Sequence, residues 1–259
     1  MKDRVVVITG ASGGIGAALA ERVGQNGDRV VLVARRAREL GEVAQRAGAE
    51  AMIVVADVTR REEVEHVVAA SLTRFGRIDV WVNNAGRGIS RAVSELTDAD
   101  IDEMISINVK SVLYGIQAVL PHFRARGRGH IINISSMLGR VPLAPIRSAY
   151  SASKHAVNAL SASLRMELLA TDPGIRVSVV HPGIVATEFG VRALHGGIDS
   201  RQMPNAQSPA AVAEVVAGVI DDPRADVYTF PGAREMVVGY FSADDMAAAE
   251  QHLMHARRP

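Results

Sequence analysis

The sequence predicts a doubly wound α/β domain, a parallel sheet of about seven strands between two layers of helices. Three observations carry this. Short β-branched runs without polar alternation recur along the chain, as in Val5-Val6-Val7-Ile8, and such runs suit strands covered on both faces. Stretches with helical spacing separate them. The first run ends in a glycine-rich turn, Thr9-Gly10-Ala11-Ser12-Gly13-Gly14-Ile15-Gly16, that opens a helix. A chain of 259 residues, 48% hydrophobic and 22% charged, is globular in composition and fits a single domain over 1–259.

Taken in order, the first strand, the turn and the helical Ala17–Val23 make a phosphate cradle. Gly10, Gly14 and Gly16 let backbone approach a pyrophosphate, whose charge faces the N–H groups at the helix start beside Ile15. Their spacing departs from the usual G-x-G-x-x-G. A second strand, Arg29–Ala34, runs into Arg35-Arg36 with no acid. An acid there binds the ribose 2′-hydroxyl of NAD, whereas arginine suits the 2′-phosphate of NADP. The positions favour NADP(H) over NAD(H), with Ser12 adding a hydroxyl donor to the same phosphate. A third strand, Ala51–Ala56, ends in Asp57-Val58. These two would bond an adenine amino group and cover its ring; an ordinary Asx turn or helix cap reads the same. Helix follows over Arg60–Phe75, then a fourth strand, Asp79–Val82, delivers Asn83-Asn84-Ala85-Gly86 to a carboxyl strand end, where such sheets bind ligands.

Apolar spacing at Ile101, Ile105, Val109, Val112, Ile116 and Leu120 predicts one long helix over 98–124, with Asn108 near its core-facing stripe. A buried asparagine there needs partners, either a structural bond or a catalytic water network. The fifth strand, His130–Ile134, ends in Ser135-Ser136. After a loop with Pro142 and Pro145 comes a helix carrying Tyr150 and Lys154. Residues four apart share a helix face, so phenol and ammonium stand side by side. A cation against a phenol favours the phenolate and makes it a usable proton donor or acceptor; an amphipathic helix with a buried ring and a snorkelling lysine reads the same from the pair alone. A sixth strand, Arg176–Val180, leads to His181-Pro182-Gly183-Ile184-Val185-Ala186-Thr187. The stretch 188–208 reads as a mobile loop over the site. Helix over Ala210–Ile220 and a last strand, Asp226–Phe230, precede a tail, 231–259. The tail's apolar run Met236–Phe241 is set to line the pocket or to pack on another subunit.

Composition excludes several classes. Lys plus Arg is 29 against 28 for Asp plus Glu, a balance that gives no reason to expect nucleic acid or an acidic membrane surface as partner. The absence of cysteine excludes disulfides, thiol nucleophiles and thiolate metal sites, and no metal site is expected. No signal-peptide pattern opens the chain, and no apolar run approaches the ~18 residues of a membrane span. The expectation is a soluble cytoplasmic protein.

Together these residues resemble the short-chain dehydrogenase/reductase family in its compact, Rossmann-type form. Thr9-Gly10-x-x-x-Gly14-Ile15-Gly16 is that family's own glycine pattern. Asn83-Asn84-Ala85-Gly86, Asn108, Ser136, Tyr150-x-x-x-Lys154 and Pro182-Gly183 up to Thr187 follow in family order. The resemblance implies an NADP(H)-dependent oxidoreductase interconverting a ketone or aldehyde and an alcohol. It assigns Tyr150 as general acid or base, with Lys154 lowering its pKa and holding the nicotinamide ribose. Ser136, rather than Ser135, would bond the substrate oxygen, and Asn108 would anchor a water of the proton relay. The cofactor site would comprise the glycine turn, Arg35, Arg36, Asp57, Val58, 83–86, Tyr150, Lys154, Pro182, Gly183, Val185 and Thr187. His181 reads as a strand-end residue. Ranges 87–90, 137–147 and 189–204 would shape a pocket for a small carbonyl substrate. A homodimer or homotetramer is implied, because family members commonly pair the helices bearing Asn108 and Tyr150. A non-catalytic sensor or scaffold, or an epimerase, is the alternative on the same fold.

Overall fold

The computed structural model describes residues 3–48 and 50–255. Its strands are β1 (Val5–Thr9), β2 (Arg29–Ala34), β3 (Ala51–Val55), β4 (Val80–Asn83), β5 (Gly129–Ile134), β6 (Ile175–His181) and β7 (Asp226–Tyr228). They pair in parallel in the order β3-β2-β1-β4-β5-β6-β7. The helices are α1 (Gly14–Gln25), α2 (Ala37–Ala47), α3 (Arg61–Phe75), α4 (Asp98–Ile105), α5 (Ser111–Arg126), α6 (Ser148–Thr171), α7 (Pro209–Asp221), α8 (Ala233–Phe241) and α9 (Met246–His255). The extreme ends of the domain expected over 1–259, including the last four residues of the tail, lie outside the described residues.

Alternation along each strand divides its side chains between two cores. Val6, Ile8, Val30 and Leu32 face one side, packed with Leu19 and Val23 of α1, Leu40 of α2 and Val212 and Val216 of α7. Val5, Val7, Val31 and Val33 face the other, against Val64 of α3, Val112 and Phe123 of α5, and Val157 and Leu168 of α6. Burial on both faces is why these strands are written in valine and isoleucine with no polar alternation. Strand order reverses at β1, which has β2 on one side and β4 on the other. The crevice at the carboxyl ends of these strands is where an open α/β sheet takes its ligand.

The helix expected over 98–124 is present as one continuous helix, Asp98–Arg126, with a π-helical turn in its middle. Between α4 and α5, Ser106–Lys110 forms a π-helical turn with Asn108 buried inside it. The whole stretch Asp98–Arg126 is long and apolar enough, by length and composition, to cross a bilayer, which the sequence reading did not anticipate. Its apolar stripe, Val112, Ile116, Val119 and Phe123, is spent on the protein core. In the tail, Met236–Phe241 belongs to α8, which puts Met236 into the cleft and Tyr240 against Val141 and Leu143.

Candidate active site

The glycine turn needs glycine for two physical reasons. Gly10 and Gly14 sit at φ +67° and +56°, in the left-handed region that L side chains rarely adopt. A Cβ on Gly16 would fall 2.5 Å from both Gly10 O and Asn84 Nδ2, so α1 packs directly on the turn. Asn84 Nδ2 donates to Thr9 O at 2.9 Å. Thr9 Oγ1 accepts from the backbone N–H of Asn84 and Ala85 at 3.0 and 3.1 Å. The turn after β1 and the turn after β4 are therefore one hydrogen-bonded unit beneath the crevice.

Beyond β2 the two arginines part ways. The Arg36 guanidinium donates to Ser12 Oγ at 2.8 Å and pairs with Glu39 at 3.2 Å. This places a cation and a hydroxyl together where the glycine turn meets the end of β2. Arg35 is 72% exposed and reaches Asp57 at 3.6 Å. Asp57 Oδ1 accepts from the Thr59 N–H and hydroxyl at 3.0 and 2.8 Å. The ordinary Asx turn allowed by the sequence is thus present, and it leaves the residue at the cleft wall beside Val58.

Beyond β5, the Ser136 hydroxyl accepts from Leu138 N at 3.1 Å and stands near enough to the Tyr150 phenol to favour its ionised form. Ser135 points elsewhere, its hydroxyl donating to Lys154 O at 3.4 Å. Of the two serines, Ser136 is the one whose hydroxyl acts on the Tyr150 phenol. Lys154 Nζ donates to Ile134 O at 2.8 Å. Burial pushes the Tyr150 phenol up to about 12, against the opposing pull of the Ser136 hydroxyl and the Arg147 charge. Burial also pushes the Lys154 ammonium down to about 8. The acidified phenol expected from the Tyr150–Lys154 spacing is therefore absent: desolvation outweighs the cations, and the opposing charge comes from Arg147.

Asn108 holds the wall rather than facing the cleft. Its Oδ1 accepts from Arg87 N and its Nδ2 donates to Arg87 O, both at 2.9 Å. Nδ2 also donates to Ser153 Oγ at 3.1 Å. A Cβ on Gly86 would meet Asn108 Oδ1 at 2.9 Å and Lys154 Nζ at 3.6 Å, so the π turn sets the backbone beside the lysine. His181 is buried, 2.9 Å from Asp226 and stacked on Tyr228, a strand-end residue as read from the sequence.

One cleft of about 1590 Å³ runs along these strand ends, well beyond the roughly 300–1,000 Å³ of a single small-ligand pocket. Ser136, Tyr150 and Lys154 line it, with Gly10, Ser12, Gly14, Ile15, Arg35, Arg36, Asp57, Val58, 84–86, Pro182, Gly183, Val185 and Thr187. Gly16, Asn83 and Asn108 are not among its lining residues. The segment 188–208 covers the cleft and is tied down. Leu194 bridges to Ile89, and His195 Nε2 lies 2.7 Å from Asp100. Phe189 brings its ring edge-on to Tyr150 at 5.4 Å between centroids. Phe189 and Arg147 fell only within ranges expected to shape the pocket. The signal that singles out Arg147 is its place three residues before Tyr150.

The family model for short chain dehydrogenases matches residues 4–195. The chain belongs to the short-chain dehydrogenase family. An "uncharacterized oxidoreductase" of Staphylococcus epidermidis is 38% identical over 198 residues, 74% of this chain and 85% of that protein. The closed form of serine dehydrogenase complexed with NADP+ is 32% identical with a TM-score of 0.80, over 86% of this chain and 93% of that one. A short-chain dehydrogenase/reductase from Burkholderia phymatum in complex with NAD is 27% identical with a TM-score of 0.83, over 92% and 94%. This short-chain dehydrogenase is an oxidoreductase, and the glycine turn, the helix start and the cleft arginines suit a nicotinamide dinucleotide.

Proposed function

We propose that this enzyme interconverts a ketone or aldehyde and an alcohol with NADP(H), using Tyr150 as proton donor and acceptor. The observation that carries the reading is the pair of hydroxyls, Ser136 and Tyr150, lining one cleft at the carboxyl edge of the sheet with Lys154 beside them. A bound nicotinamide supplies or removes the hydride. During reduction, charge grows on the carbonyl oxygen; Ser136 donates a hydrogen bond to it and Tyr150 hands it a proton. A phenol held at about 12 is protonated at neutral pH and so is ready as the acid. In the alcohol-oxidising direction the phenolate takes the proton back.

Lys154 would hold the ribose hydroxyls with the N–H groups not given to Ile134 O. Asn108 acts as a positioning residue through Arg87. Arg36 and Ser12 form the 2′-phosphate cradle that supports NADP(H) over NAD(H), with Arg35 contributing from the outer side. An oligomer through α6 is supported by Met166 and Leu169, 68% and 74% exposed on that helix, and light scattering at a monomer mass would overturn it.

The decisive experiment is Tyr150→Phe assayed with NADPH over a panel of ketones and aldehydes. The expected loss of turnover is about 10²–10⁴-fold, with NADPH affinity kept. Tight cofactor binding by the wild type with no turnover on the whole panel would favour a sensor or scaffold instead.

A further inference from the structure

Six arginines line the cleft: Arg35, Arg36, Arg87, Arg147, Arg192 and Arg201. Five of them have carboxylate partners: Arg35 with Asp57, Arg36 with Glu39, Arg87 with Glu103, Arg192 with Glu188 and Arg201 with Asp199. Arg147 has none among the described residues. Among those residues its one side-chain hydrogen bond runs from Nη1 to Ile89 O at 3.1 Å, leaving Nε and Nη2 without an acceptor there. A half-buried guanidinium without a counter-ion is unfavourable, and an arginine fork matches a carboxylate with two parallel hydrogen bonds.

Two glycines make room for the guanidinium itself at the cleft wall. A Cβ on Gly88 would lie 2.9 Å from both Arg147 Nη1 and Phe189 Cε1. A Cβ on Gly197 would lie 2.9 Å from both Arg147 Nη2 and Ser90 Oγ. Glycines thus flank the guanidinium on two sides. Ser90 Oγ is itself buried with no hydrogen-bond partner among the described residues, so the two groups meeting at Gly197 both have bonding capacity to spare. Arg147 precedes the first residue of α6 by one position and Tyr150 by three, and its charge reaches the phenol.

We propose that Arg147 anchors the carboxylate of the substrate, which makes the substrate an oxo acid and its product the corresponding hydroxy acid. This rests on the carbonyl–alcohol reading above. The carbonyl carbon takes a hydride from the reduced nicotinamide and its oxygen takes the proton of Tyr150. Hydroxy acid and oxidised cofactor result, and the carboxylate stays unchanged on Arg147.

The test compares oxo acids, with the carbonyl at the 2-, 3- or 4-position, with their methyl esters in wild type, Arg147→Gln and Arg147→Lys. The best acid is expected to exceed its ester in kcat/KM by about 10- to 100-fold in wild type, the worth of a hydrogen bond to a charged group. Arg147→Gln should bring acid and ester level, mainly through KM, and Arg147→Lys should restore part of the preference. Ester turnover depends on Ser136 and Tyr150 but not on an anion anchor. Turnover without acid preference, or a preference that survives Arg147→Gln, therefore overturns the anchor and leaves the oxidoreductase reading intact. Equal losses on acid and ester, with a shifted pH profile, would assign Arg147 to tuning Tyr150 and also overturn it. If neither substrate turns over, the carbonyl–alcohol reading fails. Calorimetric titration of 3-hydroxybutyrate and its methyl ester onto the NADP+-loaded protein then decides the anchor. Binding of the acid alone, lost in Arg147→Gln, supports it; no binding, or equal binding of both, overturns it.

Discussion

Lys154 Nζ lies 5.7 Å from the centre of the Tyr150 ring and gives its hydrogen bond to Ile134 O at 2.8 Å. The ammonium stands over the ring of its neighbour four residues back, and its hydrogen bond goes to the sheet. With burial holding it near 8, its protonation changes within reach of an ordinary binding assay. If its remaining N–H groups bind the cofactor ribose, NADPH affinity should be constant below about pH 7. It should then fall as pH rises through about 8, by up to tenfold per pH unit as the ammonium is lost. Titration of cofactor fluorescence from pH 6 to 9.5 reads this. Lys154→Met should bind more weakly throughout and show no such decline; a wild-type affinity flat to pH 9.5 would remove Lys154 from the cofactor site.

Arg36 should govern cofactor choice more than Arg35. Its guanidinium is already joined to Ser12 Oγ at 2.8 Å, whereas Arg35 is 72% exposed and engaged with Asp57, and exposed pairs contribute little. Arg36→Ala should weaken NADPH by about 10- to 100-fold, the scale of charge-assisted hydrogen bonds, and leave NADH nearly unchanged. Arg35→Ala should have the same sign and a smaller size. Dissociation constants for both cofactors in both variants check this, and equal losses for NADPH and NADH would refute the 2′-phosphate assignment.

Much of this arrangement could be read from the sequence because single physical constraints fix it. Strands buried on both faces must be continuously apolar, so β1, β2 and β5 were visible to within a residue. Ser136 and Tyr150 could be paired because both fall in the order of motifs by which the sequence resembles the short-chain dehydrogenase/reductase family. The π-helical turn at Ser106–Lys110 could not be seen, since the apolar spacing continues through it while Asn108 reaches Arg87. The Tyr150 titration was misread for a similar reason. Spacing shows which groups are neighbours, but desolvation depends on the whole fold around them.

Acid should weaken the fold through His130. The ring is buried, with Nε2 2.9 Å from Ser178 Oγ and Nδ1 lacking a partner among the described residues. Burial, with the charges of Arg176 and Arg4, pushes its pKa down to about 4. An unfolded histidine titrates near ~6.5, so the unfolded chain takes up the proton first. Stability is then full above about 6.5 and lost as pH falls toward 4. Between pH 7 and pH 5 this one residue should remove about 2 kcal/mol. Urea unfolding at the two pH values should show a decline smaller by that amount in His130→Val. Equal declines in wild type and variant would show that His130 is not the source.

Asn83, at the end of β4, should matter to stability more than to cofactor binding. Trp81 Nε1 donates to Asn83 Oδ1 at 2.7 Å, Asn83 Nδ2 to Asn133 Oδ1 at 2.8 Å, and Asn133 Nδ2 to Ser161 Oγ at 2.8 Å. This buried chain ties β4 to β5 and α6. A strand turns successive side chains to opposite faces. That is why Asn84 reaches the glycine turn while its neighbour Asn83 enters the core. Asn83→Ala would leave the Trp81 donor and the Asn133 acceptor without partners, at about 1–3 kcal/mol each. Gly115 tests the same contact from α5, because a Cβ there would collide with Asn83 Oδ1 and lie 2.5 Å from Trp81 Nε1. Gly115→Ala should cost about 1–3 kcal/mol by overpacking. Both variants should unfold at lower urea, and the folded fraction of Asn83→Ala should keep its NADPH affinity. A large loss of affinity with an unchanged unfolding midpoint would instead return Asn83 to the cofactor site.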